Sequence, residues 1–172
     1  MKLTWFGGTT LRMHIGCCIL VVDPVAIGGV DAAELVSGAD RVFGRADTLP
    51  EVDARRWQPR RAPTLVDDAA PAEVLVHRLH AAAILIDALG EPPLLLASGP
   101  VPPVGRWGSG AVVVVLGDDH ARTAVSAVEG LAPRLIAVAG DDTAVEAVLA
   151  AVGGRLDGTG FMALEPGLAL EV

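Results

Sequence analysis

The chain has 172 residues, 52% of them apolar, and a formal net charge of −8. This size and apolar content predict one globular domain spanning residues 1–172. The acidic balance argues against a general nucleic-acid or anionic-membrane surface, because both rely on clustered positive charge. No apolar run reaches the roughly 18 residues of a membrane span. We therefore expect a soluble cytoplasmic protein whose partner is a small molecule or another protein, of unknown identity.

Short apolar runs bounded by glycine and proline fill the first 25 residues and predict three antiparallel strands. A short helix at 31–36 and a strand at 40–43 are expected next. Prolines recur between residues 48 and 71, which predicts a loop-rich connection with one helical turn. Three further strands are predicted in AEVLVHRLH, AAAILIDAL and PPLLLASG.

The last third follows a different pattern. AVVVVLGDDHARTAVSAVEGLA and RLIAVAGDDTAVEAVLAAVGG share the order apolar run, Gly-Asp-Asp, amphipathic stretch, which predicts two successive βα units whose aspartates cap the helices. The glycines of GRWGSGA are expected to form a hairpin turn, and TGFMALEPGLALEV predicts a closing strand pair. Strands, then βα units, then a strand pair indicate a sandwich of sheets flanked by helices.

The opening MKLTWFGGTTLRMHIGCCILVVDP resembles the start of metallo-β-lactamase-fold proteins, in particular the small bacterial metal-dependent hydrolases related to RNase Z and the lactonases. Gly7, Thr9, Asp23 and Pro24 match that pattern, whereas Gly8 stands where a histidine is expected. The resemblance implies an α/β (αββα-type) fold: two mainly antiparallel β-sheets flanked by helices, shortened in the middle of the chain.

The family's histidine-rich signature loop corresponds to VFGRADTL. Phe43, Arg45 and Thr48 stand at its three histidines, and Asp47 alone keeps its residue type. This loop therefore resembles a metal-binding loop that has lost its imidazoles.

Later segments extend the resemblance to the end of the chain. His80 fits the family's next histidine, Gly99 or Pro100 falls at the bridging carboxylate, and Ala139 stands at the last histidine. The positions of the expected cleft, which we interpret as vestigial, are Gly8, Asp23, Phe43, Arg45, Asp47, Thr48, His80, Gly99 and Ala139.

The missing ligands decide the expected chemistry. Zinc needs about four ligand atoms from imidazole, carboxylate, thiolate or water, and only Asp47 and His80 keep a suitable type. Both also have structural interpretations, Asp47 as the cap of a turn near Thr48 and His80 as a hydrogen-bonded strand histidine. We expect no metal and no cofactor, and a catalytically inactive binding or scaffolding protein. The alternative is a metal-dependent hydrolase with a rearranged site built from Asp23, Asp47 and His80.

Two other clusters carry candidate chemistry. ARRWQPRR surrounds Trp57 with four arginines: Arg55, Arg56, Arg60 and Arg61. They could bind a phosphate or carboxylate near the cleft. Alternatively, the segment is a solvated loop that the indole of Trp57 anchors. In LGDDHA, Asp118, Asp119 and His120 could act as acid and base, or form an ordinary helix start. Ser109 lies in a glycine loop before a strand, the wrong context for a nucleophile.

Self-association is also expected, with a homodimer as its form. A shortened middle of the chain would leave apolar surface uncovered, and such surface tends to be buried against a partner.

Overall fold

The computed structural model describes residues 1–60 and 73–172 and contains two β-sheets packed face to face. The first sheet has the strand order β11-β1-β2-β3-β4. Its strands are β1 (Lys2–Gly7), β2 (Thr10–Ile15), β3 (Cys18–Val22), β4 (Arg41–Phe43) and β11 (Ala169–Glu171). The first three form the predicted antiparallel meander, whereas β4 pairs with β3 in parallel.

The second sheet has the strand order β10-β9-β8-β7-β6-β5. Its strands are β5 (Leu75–His80), β6 (Ala83–Asp87), β7 (Leu94–Ala97), β8 (Val112–Val115), β9 (Leu135–Val138) and β10 (Gly160–Ala163). Strands β5, β6 and β7 are antiparallel, and β7 to β10 are parallel. The expectation of mainly antiparallel sheets therefore holds for the first sheet and is wrong for the second, because βα units return each strand in the same direction.

The alternation of side chains along a strand explains how the two sheets pack. In β2, Leu11 and Met13 point into the core between the sheets, whereas Arg12 and His14 lie on the outer face. In β8, Val112 and Val114 enter the same core, but the intervening valines are buried under the helices on the other side. Strand β8 thus buries apolar side chains on both faces of its sheet, whereas the apolar side chains of β2 lie on one face.

In the described part of the chain, three α-helices flank the sheets: α1 (Ala32–Leu35), α2 (His120–Leu131) and α3 (Asp142–Val152). Helix α2 buries Ala124, Ala127 and Leu131 against the second sheet at helical spacing, and α3 buries Val148 and Val152 there. The four-residue α1 lies beside the outer face of the first sheet, where Arg12 donates to the carbonyl of Leu35. Within the described residues, no helix is both long and apolar enough to cross a bilayer.

Both Gly-Asp-Asp turns open a helix, as predicted, but only one aspartate caps through its side chain. Asp141 accepts a hydrogen bond from the backbone N–H of Ala144 over 2.8 Å, whereas Asp119 forms no capping hydrogen bond with its side chain. The capping prediction is therefore right for α3 and wrong for α2.

Two other local expectations fail because of the topology. The glycine segment ends in a 3-10 helix at Arg106–Gly110 and not in a hairpin, because the strands that it connects are parallel. The closing strands β10 and β11 do not pair with each other: they lie in different sheets. Between them the N–H of Gly167, which has a φ of 78°, donates to the carbonyl of Trp5.

The connection after β4 is irregular as far as residue 60, with one turn in which the N–H groups of Arg56 and Trp57 donate to the carbonyl of Asp53. Residues 61–71 of the predicted loop lie outside the described residues. Trp57 meets Trp107 edge to face, with ring centroids 4.9 Å apart, so the indole anchors this segment as one interpretation expected.

Arg60 fastens the same segment to the second sheet. Its Nε donates to Oδ2 of Asp87 over 2.6 Å, and its Nη2 donates to the carbonyls of Asp87 and Glu73. Asp87 is only 3% exposed. On the adjacent strand, burial lowers the pKa of His77, the positive charges of Arg60 and Arg41 lower it further, and Asp87 opposes the shift.

Changing Arg60 to methionine should lower the free energy of unfolding by about 3 kcal/mol, because it leaves a buried carboxylate without its charge partner. The matched control is Arg56→Met, since the Arg56 side chain is 89% exposed and lies 3.7 Å from Asp53. That change should cost less than about 0.5 kcal/mol. Urea unfolding followed by circular dichroism measures both, and equal losses would contradict a structural role specific to Arg60.

Candidate functional site

The candidate site lies at one edge of the sandwich, where strands of both sheets end. The N–H of Asp23, just after β3, donates to the carbonyl of Phe43 at the end of β4. Arg45 follows β4 and Ser98 follows β7, and both line one cavity. Loops beyond the carboxyl ends of parallel strands are the usual place of ligand sites in α/β sheets.

An ion pair between Asp23 and Arg45 organises this edge. Oδ1 of Asp23 accepts from the backbone N–H of Arg45 over 2.8 Å, and Oδ2 accepts from Nε of Arg45 over 2.5 Å. Burial alone would raise the pKa of Asp23, but these hydrogen bonds, another from Thr9 and the positive charge of Arg45 together lower it. The Asp23 carboxylate is therefore ionised at neutral pH, and both of its oxygens accept hydrogen bonds.

Arg78 holds the loop that carries Arg45. Its Nη2 donates to the carbonyl of Arg45 over 2.6 Å and to that of Asp47 over 2.8 Å. Within the described ranges, no carboxylate forms a salt bridge with Arg78. The site thus contains one guanidinium paired with Asp23 and a second that is held by neutral carbonyls.

Asp47 and His80 line a common cavity of about 680 Å³, together with Arg45, Arg78 and Thr48. Asp47 does not cap a following helix: its Oδ2 accepts from the backbone N–H of Gly44 over 2.7 Å and so closes the turn before it. His80 ends β5 and is exposed. Asp23 does not line this cavity, so the three side chains of the rearranged-site hypothesis are not gathered in one pocket.

Gly8 and Ala139 line a different cavity of about 580 Å³, with Trp5 and the starts of α2 and α3. Gly8 has a φ of 51°, a backbone conformation that favours glycine over histidine. Ala139 is buried in the core between the sheets, and Nε2 of His120 lies 2.9 Å from its carbonyl oxygen. Asp118 and Asp119 also border this cavity.

Phe43 and Gly99 occupy closely packed positions and do not line a candidate ligand site. Phe43 is 4% exposed and belongs to the core between the sheets. A Cβ atom on Gly99 would lie 2.9 Å from the Cβ of Ala82, so a bridging carboxylate at Gly99 would require the neighbouring turn to move. Neither residue borders the cavities of Arg45 or Gly8.

These residues do not fit the metal centre that the fold family implies. Within residues 1–60 and 73–172, no three His, Cys, Asp or Glu side chains are placed to hold a metal ion together. The carboxylate of Asp23 faces a guanidinium, and Asp47 is used by the N–H of Gly44. A zinc or two-metal hydrolytic centre would need additional donors.

Two arginines of the predicted cluster border a common cavity. Arg55 and Arg60 line this cavity of about 650 Å³ with Arg106, Trp57 and Trp107, and Arg60 is also bound to Asp87. This cavity shares no lining residue with the cavities of Arg45 or Gly8. The fourth arginine of the predicted cluster, Arg61, lies outside the described residues.

Sequence reasoning missed Arg78 and Ser98, which share a cavity with Arg45. The available signal was an arginine within the otherwise apolar VLVHRLH, two residues before the histidine that the resemblance selected. The sequence does not indicate which groups Arg78 binds, because the carbonyls that accept its hydrogen bonds lie 31 and 33 residues earlier in the chain.

No protein-family profile and no curated protein matches the chain. Among solved structures it is similar to Igni18, described as a novel metallo hydrolase from the hyperthermophilic archaeon Ignicoccus hospitalis. The two share 13% sequence identity and a TM-score of 0.53, over 99% of this chain and 98% of that one. It is also similar to a protein assigned as a Zn-dependent hydrolase of the metallo-β-lactamase superfamily from Thermotoga maritima, with 11% identity and a TM-score of 0.51 over 96% and 99% of the two chains.

Likeness at this level of identity establishes the fold. Because the chain spans 98% or more of both proteins, it is not shortened relative to these two, contrary to the expectation of missing central segments. The order of strands and βα units and this end-to-end similarity confirm the predicted architecture: the chain has a metallo-β-lactamase-like fold.

Proposed function

We propose that this chain is a cytoplasmic binding protein that uses a hydrolase fold without a metal and without hydrolytic activity. The observation that carries the proposal is the Asp23–Arg45 ion pair. Both oxygens of the one cleft carboxylate that follows β3 accept hydrogen bonds from Arg45, which stands where the resemblance expects a histidine. Arginine supplies a fixed positive charge and no lone pair, so it takes the place of a cation and cannot bind one.

Arg78 strengthens this argument. It brings a second guanidinium to the loop after β4 and lines two cavities with Arg45. Like charges repel at short range, and the repulsion is stronger where protein replaces water. A divalent cation entering the smaller of these cavities would meet two positive side chains and no carboxylate among the lining residues, whereas the larger one is also lined by Asp47 and Glu51.

The alternative function, a hydrolase with a reduced mononuclear site, has one supporting observation. Asp47 and His80 line the same cavity, whose volume of about 680 Å³ would admit a substrate. Two protein donors leave half of a tetrahedral coordination sphere to be filled by other ligands. Measuring metal uptake by the purified protein separates the two proposals.

Adding Zn²⁺ or Mn²⁺ to chelator-washed protein should leave its melting temperature unchanged, because the cleft lacks a sufficient donor set. A ligand at a hundred times its dissociation constant would instead stabilise the protein by about 2.7 kcal/mol. Differential scanning fluorimetry and elemental analysis of the dialysed protein measure the two quantities.

Uptake of one metal ion per chain would overturn the proposal if it disappears in His80→Ala and in Asp47→Asn. The matched control is His14→Ala, because His14 is exposed on the outer face of β2. Uptake that persists in the cleft variants but disappears in this control would place the metal outside the cleft and leave the proposal standing.

Changing Asp23 to asparagine should lower the free energy of unfolding at pH 7 by about 1 to 2 kcal/mol, because it removes a charge-assisted, partly exposed pair. Asparagine tolerates the left-handed backbone of Asp23, whose φ is 44°. The lowered pKa of Asp23 means that its stabilisation is present above the unfolded-state pKa and is lost as the pH falls through the folded-state value.

The difference in stability between the wild type and Asp23→Asn should therefore narrow as the pH falls below about 4, near the ordinary aspartate pKa. Urea unfolding at a series of pH values measures it. The exposed Asp157, changed to asparagine, is the control and should show little difference at any pH. A difference for Asp23→Asn that is independent of pH would contradict the ion-pair interpretation.

We also propose self-association into a homodimer, through antiparallel pairing of β10 with the same strand of a second copy. Strand β10 is an edge of the second sheet, and Met162 within it is 44% exposed. An edge strand presents unpaired N–H and C=O groups, and antiparallel self-pairing satisfies them with two-fold symmetry.

Light scattering should report a dimer at micromolar concentrations, and Met162→Lys should shift it to monomer because edge lysines block strand pairing. Val25→Lys is the matched control, since Val25 is 61% exposed outside the strands. A wild-type monomer at all concentrations tested would refute this proposal.

A further inference from the structure

A small cavity in the cleft has an unusual lining for so acidic a chain. Arg45 and Arg78 border it, together with Ser98, and its volume is about 230 Å³. The other lining residues are all apolar: Ala46, Ala81, Ala82, Ile84 and Leu96. No acidic side chain is among the lining residues, although the whole chain carries a net charge of −8.

The side chains that line this cavity are positive or uncharged. Asp23 binds Nε of Arg45, and the hydrogen bonds of the described residues leave both Nη atoms of Arg45 without a protein acceptor. Arg78 is held by two neutral carbonyls through Nη2 and has no carboxylate partner in the described part of the chain. Asp23 and Asp47 lie near the cavity but outside its lining, so they reduce the positive charge of the two guanidiniums without entering the cavity.

The polar and apolar linings together select a class of ligand. Guanidinium groups bind carboxylates and phosphates through parallel hydrogen bonds. The Ser98 hydroxyl lies in the same lining and makes a long hydrogen bond of 3.4 Å to the carbonyl of Ala82. Ala46 and Ala81 are exposed and Ala82 is half-buried, so their methyl groups offer an apolar surface to a short alkyl group. The volume is equivalent to roughly eight water molecules, at about 30 Å³ each.

We propose that Arg45 and Arg78 bind a small aliphatic carboxylate in this cavity, its carboxylate on the guanidiniums and its alkyl group toward Ala46, Ala81 and Ala82. Because Asp23 and Asp47 reduce the positive charge near the cavity, a monoanionic carboxylate matches it better than a dianionic phosphate. The inference rests on the proposed function, because it assigns a ligand class to the cleft of a metal-free binding protein.

Titrating ¹⁵N-labelled full-length protein with sodium butyrate at constant ionic strength tests the proposal. The amide signals of Ala46, Ala82 and Ser98 should shift with a saturable dependence on butyrate. Neutral butyramide should give no saturable shift, since the charge is absent. Inorganic phosphate should bind more weakly than butyrate, and tighter phosphate binding would overturn the assignment to carboxylates.

Two variants locate the binding. Ala46→Glu places a negative charge on an exposed residue of the cavity lining and should weaken butyrate binding by about ten- to a hundredfold, as expected for loss of a charge-assisted contact. Ala150→Glu, on an exposed position of α3, is the matched control and should bind like the wild type. Arg78→Met should abolish the shifts, and Arg78→Lys should retain part of them.

If Arg78→Met does not fold, Ala46→Glu decides the question because it leaves both arginines in place. Saturable binding that is equal in Ala46→Glu and the wild type would overturn the proposal, as would the absence of any butyrate response. Neither result bears on metal uptake. If the protein takes up no metal and shows no butyrate-dependent shift, this inference alone is refuted. If the protein takes up a metal that His80→Ala does not, the proposed function is refuted.

Discussion

Burial of the second sheet on both faces is the constraint on which the rest of the structure depends. The side chains of β8 and β9 alternate between the core shared with the first sheet and the core under α2 and α3, and all eight residues of these strands are buried. A charged group inside such a layer would pay a large desolvation penalty. The polar cleft residues therefore lie outside β8 and β9, and Asp87, which is buried in β6, is paired with Arg60.

Within the loops at the strand ends, side chains of the protein form hydrogen bonds with the backbone N–H and carbonyl groups and pair their own charges. The loop after β4 is held by Asp23 on the N–H of Arg45, by Asp47 on the N–H of Gly44 and by Arg78 on two carbonyls. A bound cation would serve the same purpose in a metal site, by neutralising carboxylates and fixing the loop. In this chain the guanidinium of Arg45 pairs with the carboxylate of Asp23, which also accepts from the backbone N–H of Arg45.

The similarity to two metallo hydrolases lies at the level of the fold. At 13% and 11% identity, the common features are the order and packing of strands and helices. Backbone pairing and apolar alternation tolerate such divergence because many apolar residues can fill the same layer. A metal centre tolerates much less, because each missing donor leaves a coordination position without a protein ligand.

The sequence alone was sufficient where the signal was local and periodic. The meander of β1 to β3, the short helix after it and both βα units follow from apolar alternation, glycine and proline boundaries and helix-start residues, all of which act within a few positions. The resemblance also selected the loop after β4 and Arg45, which it sets at the position of a histidine.

Only the tertiary structure decided which distant groups meet. It separated β10 and β11 into different sheets, made β7 to β10 parallel, and divided the expected cleft into a cavity with His80 and another with Ala139. It also paired Arg60 with Asp87 and set Arg78 on the carbonyls of the β4 loop. These contacts join residues 27 to 33 positions apart in the chain. Their formation depends on how whole sheets pack, which no local pattern of residues specifies.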